Sequence, residues 1–131
     1  MRSILRTLGL LACLVAPLGA AAQDYGDFGG GRPLTGTWLQ TYSTAGQCPT
    51  CSIAIRRDGD GYLVSSSNGW SARVIGGPHG AVGGGSWNTQ GAWGGPLQVR
   101  LRARGDELEL SMTAEWSGAS LTSTYIAADT R

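Results

Sequence analysis

The chain has 131 residues, with ten Arg, no Lys, nine carboxylates and one His. A chain without lysine offers no Schiff-base nucleophile, and its near-balanced charge gives no field for nucleic acid or an anionic membrane surface. The length suits one domain with a single core.

Residues 1–22 read as a signal peptide. Arg2 and Arg6 precede an apolar run from Thr7 to Leu18, and Ala20-Ala21-Ala22 has the small-residue pattern of a cleavage site. The run is too short to span a bilayer, which needs about 20 apolar residues. Cleavage after Ala22 predicts a secreted or periplasmic protein beginning at Gln23. The alternative is a lipid anchor at Cys13, within Leu10-Leu11-Ala12-Cys13. Residues 23–33 carry three consecutive glycines and Pro33, which predicts a flexible N-terminal arm. Residues 34–131 are then the single domain.

Beyond the signal no window has helical periodicity, whereas period two recurs. A first strand opens near Leu34, and a second runs through Ile53 and Ile55. Asp58-Gly59-Asp60-Gly61 reads as a four-residue loop that returns through Tyr62 and Val64, with Ile55 opposite Val64. Ser67-Asn68-Gly69 turns the chain into Trp70, Ala72 and Val74. Gly76 to Gly95 holds nine glycines and is expected to contain a strand near Val82–Thr89.

The clearest hairpin follows. Leu97, Val99, Leu101 and Ala103 alternate with Gln98 and three arginines. Leu108, Leu110, Met112, Ala114 and Trp116 alternate with Glu107, Glu109, Ser111, Thr113 and Glu115. A two-residue turn at Gly105-Asp106 pairs Arg104 with Glu107, Arg102 with Glu109, and Val99 with Met112, matching character at every pair. The last strand is expected over Ser120–Ala127. Seven or eight antiparallel strands in an up-and-down meander form an all-β domain, either a small closed barrel or a β-sandwich. Closure is favoured because it removes edges.

Five tryptophans are dense for this length. Trp38, Trp70 and Trp116 lie in the core-facing phase of their strands. Trp87 and Trp93 lie in glycine-rich sequence and are candidates to line a pocket or platform. His79, alone in a polar loop, is a third candidate ligand contact or simply a loop residue. Cys48 and Cys51 lie between strands. They have no helix start for redox chemistry, no His after Cys51 for haem and no second Cys pair for zinc, so a structural disulfide is expected. Asp58 and Asp60 look like part of a calcium loop, but its third acid and distal Glu are missing. With no nucleophile elbow and no carboxylate pair off the polar face, neither an enzyme nor a cofactor is expected.

At Leu34-Thr35-Gly36-Thr37-Trp38 the chain resembles the calycins: lipocalins, avidins and small secreted bacterial metalloprotease inhibitors. The resemblance implies an up-and-down barrel with Trp38 plugging one end. The late Arg that lipocalins pack on this Trp has no counterpart in the final strand. Two functions are in view. One is a module binding a small apolar or sugar ligand at Trp87 and Trp93. The other is a secreted protein-interaction module, inhibitor-like, acting through its arm. Neither involves nucleic acid or membrane insertion after signal cleavage.

Overall fold

The computed structural model describes residues 32–130; the expected signal peptide and the arm as far as residue 31 lie outside the described residues. Among the described residues there are eight strands: β1 (Gly36–Ser43), β2 (Ser52–Asp58), β3 (Gly61–Ser66), β4 (Trp70–Gly77), β5 (Gly80–Trp87), β6 (Gly95–Arg104), β7 (Glu107–Ala114) and β8 (Ser120–Ala127). Each pairs antiparallel with the next, and β8 pairs back onto β1. The sheet is therefore a closed up-and-down barrel without a free edge. Two short 3₁₀ turns, Gly91–Trp93 and Ala128–Thr130, are the helical pieces among the described residues.

Period two decides what faces inward. Along β6 and β7 the apolar residues are buried and the charged ones exposed. Arg104 pairs with Glu107, Arg102 with Glu109, Leu101 with Leu110, and Val99 with Met112, as the alternation requires. The turn between them has Gly105 at φ +58°, a conformation open to glycine. In the β2–β3 hairpin, Ile55 does face Val64. The four-residue loop expected there is shorter, however. Asp58 pairs with Gly61, which leaves a two-residue turn of Gly59 and Asp60.

Arg73 on β4 clips that turn. Its guanidinium reaches Asp58 at 3.2 Å and Asp60 at 2.9 Å, and Nη2 donates to the Asp58 carbonyl oxygen at 2.9 Å. The Arg73 hydrogen bond holds the Asp60 carboxyl below its ordinary range. The two acids that resembled a calcium loop are thus both paired with one arginine.

The strands run between two ends. One end carries the β2–β3, β4–β5 and β6–β7 turns and is closed by the chain entering β1. There Leu34 is buried, its N–H donates to Pro78 O at 2.9 Å, and its carbonyl accepts Trp38 Nε1–H at 2.9 Å. Trp38 is buried beneath it, with its one polar atom satisfied. Arg32 straps this end: its N–H donates to Gly105 O, and its guanidinium reaches Asp106 and Asp129, each at 3.1 Å. These ion pairs are exposed, so they locate the strap more than they stabilise it.

One expectation fails. Trp116 is not core-facing but 68% exposed. β7 ends at Ala114, where Gly118 N–H donates to Ala114 O and Ala114 N–H to Ala119 O, closing a tight loop. Gly118, at φ +77°, permits the reversal, and Trp116 leaves the barrel's alternation.

The glycines of β5 have a packing reason. A Cβ on Gly83 would collide with the Arg73 carbonyl oxygen, and one on Gly85 with that of Ser71. β5 therefore coils against β4 more closely than side chains allow. A Cβ on Gly77 meets nothing within 4 Å. Gly85→Ala is expected to cost about 1–3 kcal/mol through overpacking, and Gly77→Ala to stay within about 0.5 kcal/mol of the parent. Chemical denaturation of both variants checks this, and equal midpoints would reject it.

Candidate functional site

The other end of the barrel is ringed by the β1–β2 loop, the β3–β4 turn and the β5–β6 and β7–β8 loops. It opens into a cavity of about 400 Å³ that descends to Leu110 and Met112. This lies within the size range of small-ligand pockets, about 300–1,000 Å³.

One wall is aromatic. Trp70 on β4 and Trp87 on β5 are cross-strand partners, and both line the cavity. Trp93 joins them from the 3₁₀ turn, its ring centroid 6.2 Å from that of Trp87 at an interplanar angle of 50°. Trp87 is held by its Nε1–H, which donates to Asn68 O at 3.2 Å. Ser117 Oγ donates to Ala92 O at 2.6 Å, tying the loop that carries Trp93 to the β7–β8 loop. Both candidate tryptophans thus meet in one cavity, half-buried against the core.

The facing wall, on β8 and β1, is polar, and a β-bulge makes it so. Gln40 pairs with Tyr125, but Tyr42, not Thr41, pairs with Thr124, and Ser43 pairs with Ser123. The extra residue, Thr41, shifts the phase of the strand. Strict alternation from Trp38 and Gln40 would aim Tyr42 inward. With the bulge, Tyr42 is exposed and Ser43 lines the cavity beside Ser123 and Tyr125. Thr41 Oγ donates to Thr124 O at 3.1 Å and fixes the bulge. Ser123 Oγ donates to Ser43 Oγ at 2.9 Å.

Tyr125 is 3% exposed. Burial pushes its phenol up to about 12, opposed by a hydrogen bond with Ser123. It therefore remains a neutral hydroxyl throughout the physiological range.

Cys48 and Cys51 are bonded, with Cα atoms 5.3 Å apart, and both border the cavity mouth. The bridge fixes the β1–β2 loop at the rim and belongs to an oxidising, extracellular-type compartment. No helix among the described residues is long and apolar enough to cross a membrane.

His79 does not join the tryptophans. It sits in the β4–β5 turn at the closed end, with Nδ1 3.3 Å from Arg32 O, and its carbonyl accepts Ala103 N–H. It belongs to the strap. No group of three His, Cys, Asp or Glu side chains comes together among the described residues.

A larger hollow, about 460 Å³, lies on the outer face of β5–β7 between Val82 and Arg100, where Gly84 lacks a side chain. Its polar lining is exposed or half-exposed, with no buried polar group. The interior cavity is the built site. Among the described residues, its lining includes no charged one.

Gln40, Ser43, Ser123 and Tyr125 were not among the sequence candidates. Ser123 carried a signal, as a hydroxyl in the inward phase of Tyr125 and Ala127. Ser43 carried none, because its orientation depends on the bulge.

The Tyr125 shift predicts a pH dependence. Folding favours the neutral phenol, so this contribution is full below about pH 10 and is lost as pH rises through about 12. The parent should lose up to about 2.5 kcal/mol relative to Tyr125→Phe over that range. Paired denaturation curves at pH 9 and near pH 12 measure it, and parallel losses would refute the assignment.

No protein-family model matches the chain, and no curated protein matches it either, so the site is read from its own geometry.

Proposed function

We propose that this is an exported ligand-binding barrel whose open end takes a small neutral molecule, a sugar ring or a comparably flat apolar ring with polar edges. The observation that carries the reading is one cavity with two unlike walls: Trp70, Trp87 and Trp93 on one side, Gln40, Ser43, Ser123 and Tyr125 on the other. Tryptophan faces suit the apolar face of a ring, and hydroxyls and carboxamides suit its polar edge. With no charge in the lining, an ionic ligand would lose hydration and gain no ion pair.

The role is binding rather than catalysis. The hydroxyls that line the cavity have no histidine or carboxylate beside them to act as a general base. Export to the periplasm or medium is supported by the Arg2-to-Ala22 pattern and by the Cys48–Cys51 bridge. The likeness to calycins at Leu34–Trp38 favours the same kind of activity, a barrel holding a ligand at its mouth.

Intrinsic tryptophan fluorescence, titrated with a panel of neutral sugars and planar heterocycles, tests this. A saturable change is expected with at least one member, and Trp87→Ala should weaken binding about tenfold through loss of stacking. A panel without any saturable response would sink the reading.

A further inference from the structure

The aromatic wall does not stop at the cavity. Trp70 on β4 pairs with Trp87 on β5, and Trp87 in turn pairs with Gly95, the first residue of β6. Residues directly opposite one another in an antiparallel sheet share a face, so position 95 continues the row of the two tryptophans. The row has a further place. Glu115 N–H donates to Pro96 O at 3.0 Å, which carries the β6–β7 pairing one step past Leu97 and Ala114 and sets Trp116 beside Gly95. A Cβ on Gly95 would meet Trp116 Cδ1 at 4.0 Å, and no other atom so near outside its own chain neighbours. The space in front of Gly95 is therefore open, with Trp87 on the strand to one side and the Trp116 indole bounding the other.

Trp116 is the most exposed large hydrophobic residue among those described, and it lies outside the core cluster. Its loop is nevertheless well fastened. Gly118 N–H donates to Ala114 O at 2.9 Å, Ala119 N–H to Ser117 Oγ at 3.1 Å, and Ser117 Oγ to Ala92 O at 2.6 Å. The last of these ties the Trp116 loop to the loop that carries Trp93. An indole is thus held in water on a fixed support, and a preorganised face loses little freedom when a ligand lies on it. Neighbouring strands lie about 4.8 Å apart, so Trp116 stands roughly 10 Å from Trp87 at the backbone, two strands further round the rim.

We infer that Trp116 is an outer subsite of the same site, and that the ligand is a short chain of linked sugar rings, its terminal ring in the cavity and a following ring against Trp116. The inference rests on the pocket reading above and narrows its ligand class. Two observations select a sugar chain among neutral ring compounds. The cavity is blind, because Leu34 and Trp38 fill the closed end of the barrel. A chain therefore enters by its end, and the rest of it leaves across the rim. A ring on Trp116 has one side on the indole and the other in water, which suits a sugar, apolar on its face and polar on its edge. A second, wholly apolar ring would keep much of its surface in water and gain less.

The test is titration of the whole protein, by calorimetry and tryptophan fluorescence, with matched series: glucose with cellotriose, glucose with maltotriose, and N-acetylglucosamine with chitotriose. In at least one series the trisaccharide should bind about tenfold more tightly than the monosaccharide, or better, through the added stacking. Trp116→Ala should bring that ratio close to one. Trp116→Phe keeps an aromatic face on the same loop and should retain most of it. Trp87→Ala should weaken monosaccharide and trisaccharide alike. Equal affinities within every series that binds, or a gain that survives Trp116→Ala, would overturn the inference and leave the pocket reading standing; that is the outcome expected of an indole that serves a protein partner instead. A response to planar heterocycles with silence from every sugar has the same effect. Silence from every compound overturns both.

Discussion

Closing eight strands on themselves fixes the width of this molecule, and almost everything else follows from how that width is filled. An eight-stranded barrel has an interior that side chains can just fill, or that holds one small ligand if they do not. This chain fills its section at one level and leaves it open at another. Toward the closed end Leu34, Trp38, Ile55, Val64 and Leu101 fill the section completely. Toward the loops the inward positions on β8 and β1 shrink to serine, and the section stays open between them and the tryptophans. The cavity is thus a consequence of side-chain volume along fixed inward positions, with the barrel wall unchanged.

The same closure sorts the charges. A barrel with a dry interior has no inward place for an unpaired ion, so arginines and carboxylates occupy the outward phase throughout β6 and β7. Where they meet in pairs they fasten turns, as Arg73 does with Asp58 and Asp60 and Arg32 with Asp106 and Asp129. These contacts lie at the closed end. The open end is organised by neutral groups: the Cys48–Cys51 bridge, the Trp87 bond to Asn68 O and the Ser117 bond to Ala92 O. Glu115, which accepts Gln98 Nε2–H at 2.9 Å, is the one charged residue in the described loops of this end, and the cavity beneath is lined by neutral residues, so the mouth offers little long-range steering of charged molecules.

Much of the fold was legible because period two is a local rule with a global consequence. The β6–β7 register could be read pair by pair, since a slip of one residue would set arginines against leucines. The final strand was legible for the same reason. Reading by alternation stops where a strand stops obeying it. Trp116 is in phase with Ala114 on paper, but the chain has already turned at Ala114, and no residue type before Gly118 announces it. Gly83 and Gly85 were legible as a weak strand. Glycines there also permit close backbone approach, but that the backbone they admit is that of β4 is a fact of tertiary coiling, invisible in sequence.

The candidate site was half legible for a related reason. Trp87 and Trp93 stood out because bulky residues in glycine-rich sequence call for an explanation, and the cavity supplies one. Their opposite wall stayed hidden because it depends on one inserted residue. With β1 read in strict alternation, Tyr42 enters the barrel and Ser43 leaves it. A phenol ring at that level would take up space that is now cavity and break the row of hydroxyls beside Ser123 and Tyr125. Thr41, itself exposed and touching no part of the cavity, therefore decides both how much room the barrel keeps and which chemistry faces the tryptophans. Registers in a closed barrel are set jointly by every strand, so a bulge in β1 is tolerated only if β8 bends to meet it. The bond from Thr41 Oγ to Thr124 O is where that accommodation is fastened.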